Sequence, residues 1–170
     1  GAGTGRYSHA LARQGYEVDA VELVQSNIDV FISNTQPDEK ITVRQGDARD
    51  LSAFADETYD TTLLLGPMYH LFTREDQLAA LREAIRVTKK GGVIYAAYCG
   101  NEATMVQFCF QRGMILTEHY RKLIDPVTFK ASACPEELFA LYRREDIDGL
   151  MEHLPVKRLH YVGSDSATNY

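Results

Sequence analysis

Two spacings of apolar residues alternate along this chain. Apolar side chains that recur every three or four positions predict helices, and short alternating or continuous apolar runs predict strands. The predicted helices are residues 7–14, residues 27–33, the segment between Thr73 and Gly91, and residues 145–154; the predicted strands are residues 16–23, 41–47, 59–66, 93–100 and 156–163. Because helices and strands alternate, we expect an α/β fold in which helices cover a sheet.

The segment that begins at Thr73 is the clearest predicted helix. Thr73 and Asp76 form a capping pattern at its start, and Gly91-Gly92 are expected to end it before the strand 93–100. Upstream of this helix, the apolar run Leu63–Leu65 predicts a strand that is buried on both faces.

The pattern becomes irregular after Gly100. Residues 101–134 contain scattered methionines and aromatic residues without a clean period. Two interpretations stay open for this segment: a cap that shapes a ligand pocket, or a satellite hydrophobic core over the edge of the sheet. No repeat or linker divides the chain, so we expect one domain across residues 1–170.

Composition narrows the classes of function. The formal net charge of -6 gives no basic footprint for nucleic acid, and no apolar run or leader-like segment indicates a membrane protein. Cys99, Cys109 and Cys134 lack CxxC spacing and the five histidines form no HExxH motif, so we expect neither a disulfide framework nor a metal site. A reducing, cytoplasmic location is the simplest interpretation.

The first five residues, Gly1-Ala2-Gly3-Thr4-Gly5, place three alternate glycines ahead of a predicted helix. Such a turn lets the backbone approach a ligand, and the following helix start favours negative charge. A simple turn without a ligand is the alternative, although it leaves the three alternate glycines unexplained. The GxGxxG pattern of nicotinamide and flavin folds would need its third glycine at Arg6, which disfavours a nicotinamide-dependent oxidoreductase.

Four motifs in order resemble the class I S-adenosylmethionine (SAM)-dependent methyltransferases. They are the GxGxG loop, Glu22 at the end of the next strand, "GDARDL" after the following strand, and "KKGG" before a later one. Two longer stretches, "LLLGPMYHL" and "EDIDGLMEHLPVKRLHYVGSDSATNY", resemble more narrowly a group of small bacterial methyltransferases of unassigned substrate, of the methyltransferase-domain 11 or 25 type. The resemblance covers nearly the whole chain.

The resemblance implies a doubly wound, mostly parallel, Rossmann-like sheet. Residues 101–134 would follow the fifth strand of the family and form a partial cap. It also implies one strand before Gly1 and another after Tyr170, so we expect the native protein to extend at both ends.

SAM is the cofactor that the resemblance implies. Glu22 would accept hydrogen bonds from the ribose hydroxyls, and Leu23 would lie against the adenine. Asp47 would accept from the adenine amino group, and the Ala48 N–H would donate to a ring nitrogen. The other expected cofactor residues surround the methionine portion of SAM. They are Gly1, Ala2, Gly3, Gly5, Leu65 and Gly66.

Both of these acids, Glu22 and Asp47, have simpler alternative roles. Glu22 could be a solvated carboxylate at a strand end. Asp47 could be the N-cap of a short helix that begins near Ala48, a role compatible with adenine binding.

The expected reaction is direct in-line displacement of the SAM methyl group by a small-molecule acceptor. Such a reaction depends on alignment and exclusion of water more than on a metal. His70 is the candidate general base and Tyr69 is a candidate for positioning the acceptor. Alternatively, "MYHLF" is the apolar start of a helix.

Other functions and acceptors stay open. A non-catalytic SAM-binding regulatory module is the main alternative function, whereas protein or RNA acceptors are disfavoured by the acidic balance. The sequence leaves the acceptor's identity and the oligomeric state undetermined.

Overall fold

The computed structural model describes residues 1–132 and 139–163, and the predicted alternation of helices and strands is present within them. The α-helices are α1 Arg6–Ala12, α2 Gln25–Asn34, α3 Arg74–Val87, α4 Asn101–Thr104, α5 Glu118–Leu123 and α6 Arg144–Met151. The strands are β1 Val18–Glu22, β2 Ile41–Gln45, β3 Tyr59–Leu64, β4 Thr88–Ala96, β5 Cys99–Gly100 and β6 Leu141–Tyr142. Short 3-10 helices at Pro67–His70 and Met114–Leu116 and a π-helix at Met105–Phe110 complete the described elements.

The strands form three parallel pairs, β1 with β2, β3 with β4, and β5 with β6. The described residues divide into two compact units. The first unit comprises Gly1–Pro67 and Ala79–Ala96, and the second comprises the described parts of Met68–Leu78 and Ala97–Tyr170. The parallel pairing agrees with the expected α/β class, and the candidate cofactor residues all belong to the first unit.

Helix α3 begins as predicted and ends earlier than predicted. The Thr73 hydroxyl accepts from the Asp76 N–H at 3.1 Å, which confirms the cap. At the other end, the Thr88 hydroxyl lies 2.6 Å from the Ala84 carbonyl and 2.6 Å from the Thr62 hydroxyl. Because Thr88 already pairs with Tyr59 across the sheet, the helix ends at Val87 and β4 begins at once.

The prediction that Gly91-Gly92 end the helix is therefore wrong. Both glycines lie inside β4, where the register with β3 shifts between Tyr59 and Thr61. Gly91 has a φ of 80°, which a bulge requires and a side chain disfavours. A Cβ at Gly92 would lie only 2.8 Å from the Asp60 carbonyl oxygen, so the two glycines let the strand bend closely over β3.

Burial in β3 is lower than its apolar run predicted. In β3 only Leu64 is buried, at 5% exposure, whereas Leu63 is 36% exposed. Successive side chains of a strand point to opposite faces, and within the described chain β3 pairs with β4 alone. The predicted strand 93–100 is also corrected, because β4 ends at Ala96 and Cys99–Gly100 form the separate strand β5.

The carboxyl-terminal part differs from the prediction in one segment. Helix α6 confirms the predicted helix 145–154, but residues 156–163 form no strand. This segment is exposed and is attached by side chains, with Arg158 paired to Asp148 and Arg144 lying 5.5 Å from the Tyr161 ring. Its alternating apolar residues therefore have no ladder partner in the ranges that the structure covers.

The irregular segment after Gly100 contains a small hydrophobic core. Met105, Cys109 and Ile124 are buried together, and further apolar side chains pack against them. This cluster supports the satellite-core interpretation, while a cap formed by residues 101–134 stays a prediction. Cys134, at the end of that segment, lies outside the described residues.

Where side chains and backbone are described, no helix combines the length and the hydrophobicity needed to cross a membrane.

Gly92→Ala should lower the free energy of unfolding by about 1–3 kcal/mol, because the added methyl group would overlap the Asp60 carbonyl. Gly149→Ala is the matched control. Gly149 lies within α6 with open space beside it, so alanine should stabilise the protein by about 0.5–1 kcal/mol. Urea unfolding of both variants measures the two effects. A Gly92→Ala variant as stable as the wild type would contradict the placement of Gly92 within β4.

Candidate functional site

Glu22, the last residue of β1, connects the strand to the glycine loop. The residue is only 5% exposed, and its Oε2 accepts a 2.7 Å hydrogen bond from the Gly3 N–H. The other oxygen, Oε1, accepts from the Val24 N–H and from Asn27 Nδ2, each at 3.1 Å. The carboxylate therefore faces the loop and is not the solvated strand-end acid of the alternative interpretation.

Hydrogen bonding keeps this buried acid ionised. Burial raises the pKa of Glu22, but the hydrogen bonds from Gly3, Asn27 and Val24 together lower it below its ordinary value of 4.5. A carboxylate offers about four acceptor positions, and three are used here. One position on Oε2 stays available for a further donor such as a hydroxyl group.

Asn27 is a site residue that the sequence pattern did not indicate. It lies in the first turn of α2, five residues after Glu22, where it orients the acid with its amide group. An amide residue shortly after an acid that ends a strand could have indicated this hydrogen bond. The apolar periodicity that predicted the helix 27–33 gives no information on which polar side chains pair.

The loop glycines serve different physical purposes. Gly3 has a φ of 57°, and a Cβ added there would have no other atom within 4 Å, so the space above Gly3 is open. Gly5 has a φ of 90°, and a Cβ there would lie 2.6 Å from His9 Nε2 and 2.7 Å from the Phe31 ring. Only Gly3 therefore fits the prediction of backbone left clear for a ligand, whereas Gly5 is required by packing against α1 and α2.

The buried carboxylate of Glu39 is the centre of an ionic cluster that adjoins the loop. His9 Nδ1 and Arg13 Nε each lie 2.7 Å from the buried carboxylate of Glu39, and the Gln36 N–H donates to the same group. Burial raises the pKa of Glu39, but these hydrogen bonds outweigh it and lower the pKa. The sequence pattern does not indicate this cluster, because His9 and Arg13 lie 30 and 26 residues from Glu39 and belong to no motif with it.

Gly1 and Ala2 join the loop to two strand ends. The Ala2 N–H donates to the Val21 carbonyl at 2.9 Å, at the end of β1. A Cβ on Gly66, two residues past β3, would lie 3.1 Å from the Gly1 carbonyl oxygen. The structure thus brings Leu65-Gly66 next to the start of the loop, at the carboxyl end of β3.

Asp47 lies just past β2 in a turn. Its carboxylate accepts from the Arg49 N–H at 2.8 Å and pairs with the Arg49 guanidinium, with Oδ2 2.6 Å from Nη2. These interactions with Arg49, the side chain first, lower the pKa of Asp47 against the opposing effect of burial. No helix begins at Ala48; the Asp50 N–H closes a turn on the Asp47 carbonyl, so the alternative role of Asp47 as an N-cap is corrected to a place in a turn.

Arg49 limits what Asp47 can bind. Both carboxylate oxygens already accept from its guanidinium, so an incoming amino group must share them or displace that guanidinium. On the neighbouring strand end, Leu23 is 60% exposed and leaves an apolar surface available.

Tyr69 and His70 belong to the second unit, at the end of the 3-10 helix Pro67–His70. Their rings lie 4.8 Å apart, and the Phe139 ring lies 5.3 Å from each of them. The Ala140 N–H donates to the Tyr69 carbonyl and joins the two segments. The alternative interpretation of "MYHLF" as the start of a helix is confirmed only in part. A single helical turn ends at His70, and helix α3 begins later, at Arg74.

Comparisons with known proteins agree with these features. Residues 1–96 match the family model described as "Methyltransferase domain". Among solved structures, a SAM-dependent methyltransferase from Methanosarcina mazei has a TM-score of 0.65 at 19% identity, covering 89% of this chain and 74% of its own. A protein from Pyrococcus horikoshii has a TM-score of 0.66 at 20% identity, covering 96% and 76%. No curated protein sequence matches the chain.

A third structure is the glycopeptide N-methyltransferase MtfA, solved with SAM, at a TM-score of 0.52 and 24% identity. The alignment covers 61% of this chain and 43% of MtfA. These structural similarities confirm a Rossmann-like α/β fold. The family match covers more than half of the chain and favours methyl transfer over the nicotinamide alternative, so the predicted resemblance, enzyme class and cofactor are confirmed: the chain belongs to the methyltransferase-domain family of class I SAM-dependent enzymes.

Proposed function

We propose that this methyltransferase transfers the SAM methyl group to a small-molecule acceptor, with the cofactor held by the glycine loop and the strand ends of the first unit. The observation that carries the proposal is the buried, ionised carboxylate of Glu22 aimed at the Gly3 N–H. It leaves one acceptor position beside a loop residue with open space above it.

Each strand end would hold a different part of the cofactor. Glu22 would accept from a ribose hydroxyl, while Leu23 would cover one adenine face. Asp47 and the Ala48 N–H would address the adenine edge, with Arg49 sharing the carboxylate. The methionine portion would lie against the open backbone at Gly3, with Gly1, Ala2, Leu65 and Gly66 beside it, while Gly5 would set the shape of the loop through its packing.

The chemistry supplied by SAM is a methyl group on a positively charged sulfur, which leaves as a neutral thioether. The protein's contribution is alignment and exclusion of water. His70 would accept the acceptor's proton, and Tyr69 would position the acceptor against the aromatic surface shared with Phe139.

A small acceptor is supported by charge. The net charge of -6 opposes binding of polyanions such as RNA. MtfA, with the same fold, is described as acting on a glycopeptide. The doubly wound continuous sheet, the cap at residues 101–134 and the cytoplasmic location stay predictions.

Glu22→Gln should weaken SAM binding by about 10- to 100-fold, because the amide removes the charge that the Gly3, Val24 and Asn27 donors face. Isothermal titration calorimetry with SAM measures the effect. Glu17→Gln, which alters an exposed acid just before β1, is the matched control and should bind like the wild type. Equal affinities for all three proteins would remove the main support for the proposed site.

The same acid should produce a defined pH dependence. Because the folded-state pKa of Glu22 is lowered, its stabilising contribution is present above pH 4.5 and is lost as the pH falls through the folded-state value. The difference in unfolding free energy between wild type and Glu22→Gln should therefore be constant from pH 7 to about pH 5 and shrink below that. A difference that grows on acidification would contradict the ionised carboxylate.

His70→Gln should lower methyl transfer by about 100-fold while leaving SAM affinity unchanged. The assay follows a labelled methyl group from SAM into a metabolite extract, separated into small-molecule and macromolecular fractions. His153→Gln is the control, because His153 is an exposed histidine in the second unit. If the label enters only protein or RNA, the proposal of a small-molecule acceptor is wrong. If His70→Gln keeps full activity, His70 is not the general base.

A further inference from the structure

Arg86, in the last turn of α3, binds the loop between β2 and β3 at several points. Its guanidinium donates to the Leu51 carbonyl at 2.8 Å, the Phe54 carbonyl at 2.9 Å and the Asp56 carboxylate at 2.7 Å. The Arg86 carbonyl also accepts from the Glu57 N–H at 2.8 Å. One residue thus fixes four positions of a loop that has no regular structure of its own.

Glu83, one turn earlier on α3, completes the attachment. Its carboxylate pairs with the Arg86 guanidinium at 2.8 Å through both oxygens and accepts from the Leu51 N–H at 2.6 Å. Leu51 is therefore held at its N–H by the acid and at its carbonyl by the arginine. Bidentate pairing of this kind restricts both side chains to one geometry.

Leu51 is the downstream end of the turn that carries Asp47 and Ala48. The upstream end is held by the Gly46 N–H, which donates to the Glu22 carbonyl at 3.0 Å. Between these anchors the turn is closed by the Asp50 N–H on the Asp47 carbonyl. The position of the turn is thus set at one side by β1 and at the other by α3.

We infer that Arg86 and Glu83 are positioning residues for adenine recognition, acting through Leu51 on the turn that presents Asp47 and Ala48. The inference rests on the proposed function, in which that turn reads the adenine edge. A carboxylate and an N–H recognise an amino group and a ring nitrogen only while both lie at hydrogen-bond distance. Loss of the α3 anchor should therefore reduce discrimination between purine bases, beyond any general loss of stability.

The experiment compares two ligands whose bases differ at position 6 and in the proton on the adjoining ring nitrogen. S-adenosylhomocysteine carries the adenine amino group, and S-inosylhomocysteine carries a carbonyl there. Calorimetry gives the ratio of their dissociation constants for the wild type and for Asp47→Ala, Arg86→Gln, Glu83→Ala and Glu83→Gln. Thermal unfolding of every variant is recorded in parallel.

The wild type should prefer the adenine ligand by at least about 10-fold, and Asp47→Ala should abolish most of that preference. Arg86→Gln and Glu83→Ala should reduce the ratio at least about 3-fold, and Glu83→Gln, which keeps an acceptor for the Leu51 N–H, should recover part of it. Arg82→Gln is the matched control: Arg82 is exposed on the same helix, so the ratio should stay at the wild-type value.

Two results overturn the inference in distinguishable ways. If Asp47→Ala leaves the ratio unchanged, the proposed adenine site is wrong and the inference fails with it. If Asp47→Ala lowers the ratio but the Arg86 and Glu83 variants lose stability or overall affinity with the ratio intact, their role is structural only. Should Arg86→Gln fail to unfold cooperatively, the pair Glu83→Ala and Glu83→Gln decides the question.

Discussion

The hydrogen bond from the Gly3 N–H to the buried carboxylate of Glu22 is the interaction on which the candidate site depends. It joins the amino-terminal loop to the end of β1, while the same side chain holds the start of α2 through Val24 and Asn27. Since a buried carboxylate without donors would be costly, the loop, strand and helix must adopt their positions together. The geometry of the candidate site is therefore held by contacts within the chain itself.

Two other buried or half-buried acids of the first unit, Glu39 and Glu83, follow the same rule. Glu39 is held by His9, Arg13 and the Gln36 N–H, and Glu83 by Arg86 and the Leu51 N–H. Each acid connects segments that are distant in sequence. The described strands of this unit form only parallel pairs, and the hydrogen bonds between paired strands do not hold the connecting loops. The ionic contacts position those loops instead.

The sequence predicted those features that depend on local pattern. Glu22 was identifiable because an acid closing a strand after a glycine turn is a short-range signal, and Thr73 because capping acts within one turn. Arg86 was not, since its partners lie about 30 residues upstream and share no periodicity with it. Gly91-Gly92 were misassigned because two glycines are compatible with a helix end or with a bulge, and the choice depends on how closely Asp60 approaches.

The unequal surroundings of Gly3 and Gly5 also bear on inherited variation. A methyl group at position 5 would collide with His9 and Phe31, so a substitution there should impair folding and lower the amount of protein in the cell. A methyl group at position 3 would enter open space, with only the strain of its left-handed backbone to bear. A variant at Gly5 would thus lower the amount of folded protein, whereas a variant at Gly3 would lower the affinity for the ligand.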